Sequence, residues 1–147
     1  MVMPIVARTH LELSKIHSAA FKHERSWSQV EFENICAQPS TCLISDPHCF
    51  ALGRVVDDEL EVLSVACAPS HQRQGRGRTI LEAMIKESIV RGAKWAFLEV
   101  AADNIPALQL YKSLGFAKVG LRKNYYTRSG LSKCDANILQ KSLIRPK

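Results

Sequence analysis

The stretch from Leu63 to Arg78 constrains the fold most, because its residue pattern changes midway. Residues 60–67 are mostly apolar and rich in β-branched side chains, which predicts a buried strand. Pro69 cannot donate to a sheet hydrogen-bond ladder, so it predicts the strand's end. A loop with Gly75 and Gly77 follows, and then apolar residues recur at helical spacing, namely Ile80, Leu81, Met84, Ile85 and Ile89. A strand therefore leads into a basic, glycine-containing loop that begins a helix.

This loop is a candidate anion site. The first turn of a helix has free backbone N–H groups at the positive end of the helix dipole. Gly75 and Gly77 would let the backbone approach a phosphate closely. The loop lacks the Gly-Lys-Ser/Thr of a Walker loop and the third glycine of the dinucleotide fingerprint. The alternative is an ordinary strand-to-helix turn that binds nothing.

A second candidate site includes Glu99, within a strand predicted over residues 94–100, whose almost continuous apolar sequence is typical of a strand covered on both faces. A carboxylate in such a strand is costly unless it has a partner or a task. Asn104 and the Pro106 that follows predict the start of a helix, which carries Tyr111 and ends at Gly115. The structural alternatives are that Glu99 pairs with a nearby arginine and that Tyr111 is a core aromatic residue with a solvated hydroxyl.

Length and cysteine content narrow the class of protein. The 147 residues suit one domain over 1–147, without an apolar run that could span a bilayer or a signal-peptide core at the start. We therefore expect a soluble cytoplasmic protein. The five cysteines show neither Cys-x-x-Cys nor zinc-ligand spacing, so we predict no metal site and interpret them as small buried apolar residues. A catalytic Cys67 is the less favoured alternative.

The net charge of +6 raises the question of nucleic-acid binding. The basic residues are spread over the loop, a later segment around Arg122 and the C-terminal tail, and no nucleic-acid recognition motif accompanies them. A phosphate-bearing cofactor explains the arginines of the loop, and solvated surface charge explains the others. We therefore predict no direct nucleic-acid partner and no membrane partner.

The remaining patterns predict an α/β protein. Capping boxes at Thr9 and Ser28 begin two helices, the first with an inward face of Leu13, Ile16, Ala19 and Ala20. Strands are predicted over residues 41–45, 49–56, 60–67, 94–100, 116–121 and 136–142. We expect a mixed, mostly antiparallel sheet with a βαβ core and flanking helices. Trp27, in the connection between the first two helices, either packs on the core or helps to line a substrate cleft.

Two motifs together resemble one family. Residues 72–77 (Gln-Arg-Gln-Gly-Arg-Gly) resemble the Gln/Arg-x-x-Gly-x-Gly/Ala pyrophosphate loop of the GNAT N-acetyltransferases, which have the acyl-CoA N-acyltransferase fold. Residues 98–116 resemble the family's Leu-Glu-Val…Asn…Ala…Leu-Tyr…Gly-Phe pattern. With Arg122, Tyr125 and Tyr126, the chain resembles the RimI-like branch, the ribosomal-protein-alanine N-acetyltransferases. The resemblance runs from about His17 to Leu143 and is strongest from Glu61 to Tyr126.

The resemblance implies acetyl-CoA as cosubstrate and a protein N-terminal α-amino group as acceptor, with the N-terminal alanine of a ribosomal protein as the specific candidate. Glu99 would be the general base and Tyr111 the proton donor to the leaving thiolate, in keeping with their chemistry. Glu61 is the alternative base. A backbone N–H of residues 65–67 would face the thioester oxygen where two strands separate. The implied cofactor contacts are Val65, Ala66, Cys67, Arg73, Gln74, Gly75, Arg76, Gly77, Arg78, Asn104 and Tyr111.

Two positions depart from the family pattern and affect mainly the substrate prediction. Arg76 stands where the family usually has an apolar residue, which suggests altered cofactor affinity or contact with another acidic group. Ala101 and Ala102 stand where the branch often has Arg-Ala. Tyr125 and Tyr126 are expected to line the peptide slot. The alternative functions are acetylation of a lysine side chain or a small amine, and non-enzymatic acyl-CoA binding.

Overall fold

The computed structural model describes residues 9–20, 27–72, 74–126 and 134–144. It contains four α-helices, a short 3-10 turn (Pro69–His71) and six strands. The helices are α1 (His10–Ala20), α2 (Gln29–Cys36), α3 (Arg76–Val90) and α4 (Ile105–Ser113), and the strands are β1 (Thr41–Ser45), β2 (Cys49–Val56), β3 (Glu59–Cys67), β4 (Trp95–Ala101), β5 (Ala117–Tyr126) and β6 (Cys134–Ser142).

The strands form one sheet in the order β1-β2-β3-β4-β6-β5. Neighbouring strands are antiparallel except β3 and β4, which are parallel and connected by α3. The predicted mixed, mostly antiparallel sheet with a βαβ core is therefore confirmed. The last strand pairs back between β4 and β5, which makes β5 an edge strand.

Side chains alternate between the two faces of the sheet and build a core on each. On one face, Cys49 and Ala51 of β2 pack with residues of α3 and α4. On the other, Phe50 and Leu52 pack with α1 and α2. Phe32 of α2 is fully buried there and contacts the ring of Phe50 edge to face, with centroids 5.5 Å apart. The sheet is thus a middle layer with helices on both sides.

Local signals in the sequence account for most helix ends. Ser28 and Glu31 form the full capping box of α2, with N–H to side-chain oxygen distances of 3.1 and 3.2 Å. Thr9 Oγ1 accepts a hydrogen bond from Glu12 N–H at 3.2 Å. Gly92 and Gly115, just after α3 and α4, have positive φ angles of 98° and 95°.

Three details differ from the sequence predictions. Ala19 is exposed and Ala20 only partly buried, whereas His17 lies inside. Strand β4 is not covered evenly on both faces, because its burial alternates and Trp95 is exposed. Strand β5 extends to Tyr126, well past the predicted end, because β6 supplies it with a partner as far as Cys134. Among the described residues, no helix has the length and apolar character needed to cross a membrane.

Candidate active site

The parallel strands β3 and β4 separate at their carboxyl ends. Their pairing runs from Glu59 with Trp95 to Val62 with Leu98, although β3 continues to Cys67 and β4 to Ala101. This confirms the separation that the family resemblance implied. Helices α3 and α4 begin shortly after these two strand ends, so both helix N-termini face the same edge of the sheet. Ligands bind at such an edge in open α/β sheets.

A β-bulge in β3 precedes the gap. Leu52 pairs with Ser64 and Gly53 pairs with Val62, which leaves Leu63 as one extra residue in β3. Gly53 permits this geometry, because a Cβ there would lie 2.9 Å from the Glu61 carbonyl oxygen and 3.0 Å from Met84 Sδ. The sequence analysis missed the bulge, for which a glycine within a strand is the available signal.

The register of β2 and β3 orients the backbone of β3 at the gap. Cys49 N–H donates to Asp46 Oδ1 at 2.8 Å, and its carbonyl accepts from Asp46 N–H at 2.9 Å. The peptide groups of Cys49 therefore point away from β3, and Cys49 and Cys67 form a non-hydrogen-bonded antiparallel pair. By the same alternation, the N–H and C=O groups of Cys67 and Val65 point from β3 toward the gap. The Cys67 carbonyl accepts from Gln72 Nε2 at 3.0 Å.

A cavity of about 410 Å³, which we call the inner cavity, lies at the gap. It is bounded by α1, by Trp27 in the connection between α1 and α2, by the separated strands β3 and β4, and by α4 and β5. Its lining residues are His17, Trp27, Glu61, Val62, Leu63, Ser64, Val65, Glu99, Val100, Ala101, Asn104, Ala107, Tyr111 and Arg122. The predicted base, the alternative base and the predicted proton donor are thus brought to one cavity.

Both carboxylates of the inner cavity are paired with arginines. Glu99 Oε1 and Arg122 Nε form an ion pair at 3.1 Å, and the two side chains are 24% and 54% exposed, respectively. Glu61 pairs with Arg54 on the neighbouring strand β2. The structural alternative for Glu99, an arginine partner, is therefore present together with its position in the cavity. The two arginines balance the charge of the carboxylates without removing them from the cavity.

Tyr111 is the most buried polar side chain contributed by α4. It is 8% exposed, and its ring meets Phe116 edge to face with centroids 5.8 Å apart. Burial disfavours the charged phenolate and raises the pKa of Tyr111 to about 12. The hydroxyl is therefore protonated at neutral pH and can act as a hydrogen-bond donor in the cavity.

A second cavity of about 730 Å³, which we call the groove, lies next to the inner cavity. The two share Val65, Asn104 and Ala107. The groove is lined by Ala20, Val65, Ala66, Cys67, Gln72, Gly75, Arg76, Gly77, Arg78, Asn104, Pro106, Ala107, Gln109, Leu110 and Ser113. Of the residues predicted to contact a cofactor, Gln74 is exposed outside both linings, Tyr111 lines only the inner cavity, and Arg73 lies outside the described residues.

The loop that begins α3 is open to the groove. Gly75 is the N-cap of α3 and has a left-handed φ of 75°, with no atom within 4 Å of where a Cβ would be. A Cβ on Gly77 would meet only ordinary contacts, at 3.8 Å from Leu110 and 3.9 Å from Cys67 Sγ. Space and free helix N-terminal amides therefore coincide here, as an anion site requires.

Neighbouring side chains hold the two described arginines of the loop. Arg78 Nη1 donates to Ser113 Oγ of α4 at 2.8 Å, and Arg78 Nε pairs with Glu82 at 2.8 Å. Arg76 lies 3.6 Å from a carboxylate oxygen of Asp46, in the β1–β2 turn. The unusual Arg76 thus reaches an acidic group of the chain itself, one of the two outcomes foreseen from the sequence.

His17 has a role that was not predicted from the sequence. Its ring is buried, stacks on the Trp27 ring with centroids 5.3 Å apart, and accepts a hydrogen bond at Nδ1 from Trp27 N–H at 3.3 Å. Trp27 both lines the inner cavity and packs against the core, so its two proposed roles coexist. The spacing of Leu13, Ile16, His17 and Ala20 was the available signal, since it places His17 on the apolar stripe of α1.

Comparison with known proteins identifies relatives of this arrangement. The model of the acetyltransferase (GNAT) family matches residues 10–116. The chain is 47% identical to the [ribosomal protein bS18]-alanine N-acetyltransferase of Escherichia coli over a segment of 77 residues. This segment covers 52% of this chain and 52% of that protein. The matched segment thus spans about half the length of this curated relative.

Solved structures match over most of the chain. The crystal structure of the ribosomal-protein-S18-alanine N-acetyltransferase from Escherichia coli superposes with a TM-score of 0.82 and 31% identity, covering 94% of this chain and 90% of that one. Arabidopsis thaliana NAA60 in complex with acetyl-CoA matches with a TM-score of 0.79 over 92% and 93% of the two chains. At 17% identity, the second match shows the shared fold alone.

Proposed function

This chain belongs to the acetyltransferase (GNAT) family, and we propose that it transfers an acetyl group from acetyl-CoA to the N-terminal α-amino group of a protein. One observation carries the proposal. The groove, which is lined by a helix N-terminus with two glycines, adjoins an inner cavity lined by Glu99 and Tyr111, and the two share lining residues. A long phosphorylated thioester fits the first, and an amine fits the second.

The groove supplies what acetyl-CoA needs for binding. In the proposal, the amides at the start of α3 bind the pyrophosphate, with Gly75 and Gly77 giving it access and Arg78 adding charge. Asn104, which caps α4 and lines both cavities, contacts the cofactor where the two cavities meet. The backbone groups of Val65 and Cys67 that face the gap pair with the amide-containing arm as another strand would.

Acceptor activation is a modest task for a carboxylate. An α-amino group has a pKa of about 7.7–8.0, so part of it is already neutral at physiological pH. In the proposal, Glu99 accepts a proton from the rest, directly or through a water molecule. Val65 N–H, which the register directs into the gap, stabilises the oxyanion that forms when the amine attacks.

Tyr111 assists the leaving thiolate. A thiol has an ordinary pKa of about 8.5, whereas burial raises the pKa of Tyr111 to about 12. Complete proton transfer from the phenol to a free thiolate would therefore be uphill by about 5 kcal/mol. We infer that Tyr111 acts first as a hydrogen-bond donor to the sulfur as its negative charge develops, and that full protonation follows when the product leaves.

The acceptor we propose is the N-terminal alanine of a ribosomal protein. Support comes from relatives that are named for this acceptor. The solved structure of one of them superposes on 94% of this chain. The side chains of Tyr125 and Tyr126, which the sequence predicts to line the peptide slot, lie outside the part of the chain that the structure describes. We also infer a cytoplasmic location and a single-domain organisation. The five cysteines are free, as expected of proteins in a reducing compartment.

The decisive experiment presents matched acceptors to the purified protein with acetyl-CoA. One peptide begins with alanine and carries an internal lysine, and a second is identical except for a formyl group on its α-nitrogen. Mass spectrometry is expected to show one acetyl group on the α-nitrogen of the first peptide and none on the second. Acetylation of the internal lysine in both peptides would contradict the proposal, as would tight acetyl-CoA binding without turnover for any amine tested.

A further inference from the structure

Two thiols face each other beside the groove. Cys49 on β2 and Cys67 on β3 are direct partners in the antiparallel register. They occupy a non-hydrogen-bonded position, because both peptide groups of Cys49 are engaged by Asp46. Cα atoms in such pairs are about 4.5 Å apart, which lies within the range that disulfides bridge. Their side chains project from the same face of the sheet, and the two thiols are close enough for the pKa of each to depend on the other.

The two thiols differ in access. Cys67 lines the groove, and its sulfur lies 3.9 Å from where a Cβ on Gly77 would be. Cys49 is fully buried behind it, in the core beneath α3. A small solute in the groove therefore meets the sulfur of Cys67 first, while Cys49 lies within reach of that sulfur but not of the solute.

Local electrostatics assign different chemistry to the two sulfurs. The neighbouring Cys49 thiol lowers the pKa of Cys67, and Arg76 lowers it further, whereas burial and Asp46 oppose this effect. The pKa of Cys49 is raised, first by the neighbouring Cys67 sulfur and then by burial. Cys67, which lines the groove, is thus the thiol that ionises more readily, and the buried Cys49 remains available to resolve an oxidised Cys67.

We propose that Cys49 and Cys67 are a redox pair that a hydroperoxide converts to a disulfide across β2 and β3. The Cys67 thiolate attacks one peroxide oxygen, the O–O bond breaks, and the leaving hydroxide takes up a proton to become water. The Cys49 sulfur then attacks the sulfenic sulfur of Cys67, the S–O bond breaks, and a second water leaves with the Cys49 proton. In total, two thiols and one hydrogen peroxide give one disulfide and two waters.

The location of the pair links its oxidation to occupancy of the groove. This link rests on the proposed function, because acetyl-CoA in the groove would cover Cys67, whereas the disulfide chemistry itself does not depend on it. We therefore expect the empty protein to be oxidised and the loaded protein to be protected. At an acetyl-CoA concentration ten times its Kd, the rate of disulfide formation should fall about tenfold. Acetyl-CoA is the suitable probe, because its sulfur is esterified and does not consume peroxide as a free thiol would.

The test treats the reduced full chain with hydrogen peroxide, alkylates the remaining thiols and digests the protein with trypsin and Asp-N. This pair of proteases separates Cys49, in residues 46–54, from Cys36 and Cys42. We expect residues 46–54 to be linked to residues 58–73, with a mass two hydrogens below the sum of the two peptides. The free thiol count should fall from five to three and return to five with dithiothreitol.

Matched variants isolate the pair. Cys42→Ser, at another buried strand cysteine, should leave the link intact, whereas Cys67→Ser should abolish it. Cys49→Ser should instead accumulate a sulfenic acid at Cys67 that dimedone traps. The proposal is overturned if the link is absent from oxidised wild-type protein, or if guanidinium-unfolded protein forms it as fast as folded protein does. A link that forms equally fast with and without acetyl-CoA would reject cofactor occupancy of the groove and leave the redox pair standing.

Discussion

Tyr111 shows how burial sets the state of a single side chain. The ring packs on Phe116, and the residue is only 8% exposed where it lines the inner cavity, so a phenolate would be poorly solvated. The pKa of Tyr111 is therefore raised to about 12, so the proton required for hydrogen-bond donation stays in place throughout the physiological range. The same burial makes the folded state less stable at alkaline pH, where tyrosine ionises in the unfolded chain.

This pH dependence predicts a difference between the wild-type protein and Tyr111→Phe. In the unfolded chain a tyrosine ionises near pH 10, whereas in the folded chain Tyr111 stays protonated up to about pH 12. The contribution of protonated Tyr111 to the free energy of unfolding is fully present below pH 10. It is lost between pH 10 and 12, because the tyrosine of the unfolded chain releases its proton first. Chemical unfolding should show the wild type losing about 2–3 kcal/mol more than Tyr111→Phe over that interval. Parallel curves for the two proteins would contradict the assignment.

The chemical roles proposed for Glu99 and Tyr111 predict losses in rate. Glu99→Gln removes the proton acceptor and Tyr111→Phe removes the donor, so each should lower kcat by about ten- to ten-thousand-fold. The Kd for acetyl-CoA, measured by calorimetry, should change little, because the groove is left intact. Glu59→Gln is the matched control, since Glu59 is exposed at the opposite end of β3 and should keep the normal rate. Near-normal rates in both site variants would move attention to Glu61.

At the scale of single residues, the sequence allowed the site residues to be predicted, but not the side chains that pair with them. Glu99 and Tyr111 follow from a carboxylate in an apolar strand and a tyrosine on the next helix, and the structure brings them to one cavity. Arg122, the partner of Glu99, lies on a strand that does not adjoin β4, so its approach depends on the insertion of β6 between β4 and β5. Such a contact is set by strand order, which no local pattern in one sequence reveals.

Among the structural elements, the loop that begins α3 depends on backbone conformation more than on side chains. Gly75 has a φ of 75° and caps a helix of 15 residues. Thr79 supports this turn from within the helix, where its N–H and its hydroxyl both donate to the Gly75 carbonyl. Gly75 and the three residues that follow it all line the groove.

Substitution of Gly75 should therefore cost stability through strain alone. A Cβ at this position meets no atom within 4 Å, so Gly75→Ala is opposed only by the left-handed conformation, at about 1–2 kcal/mol. Gly75→Asn is the matched control and should lose less, because asparagine tolerates that conformation better. Urea unfolding compares the three proteins. Equal stability of Gly75→Ala and the wild type would contradict a left-handed Gly75.

The elements that the sequence predicted well are those with a buried face. β1 and β2 match their predicted bounds, and α4 begins at its predicted cap, because buried alternation and capping leave clear signals. β5 was cut short in the prediction, because an edge strand with a largely exposed surface has no apolar alternation to mark it. The bulge at Leu63 was missed because its sequence signal, Gly53, lies on the partner strand β2, and only the register of the two strands identifies the extra residue.

At the scale of the whole molecule, the candidate active site lies where strands β3 and β4 of the central sheet separate. The sheet is covered on one face by α3 and α4 and on the other by α1 and α2. The groove and the inner cavity form where β3 and β4 stop pairing, so that a ligand there would contact α1, both strands, α3 and α4 together. A ligand in this position joins elements distant in sequence and should stabilise the entire fold rather than one segment.

This arrangement predicts a large thermal shift on cofactor binding. A ligand that binds only the folded state adds about 2.7 kcal/mol at 100 times its Kd. For a chain of 147 residues, each kcal/mol raises Tm by about 2–4 °C, so acetyl-CoA should raise Tm by roughly 5–11 °C in differential scanning calorimetry. Adenosine at the same concentration is the matched control and should raise Tm by less than about 1 °C, because it lacks the phosphates that the start of α3 would bind. If adenosine and acetyl-CoA gave equal shifts, or if saturating acetyl-CoA gave none, the amides between Gly75 and Arg78 would not be the site of phosphate binding.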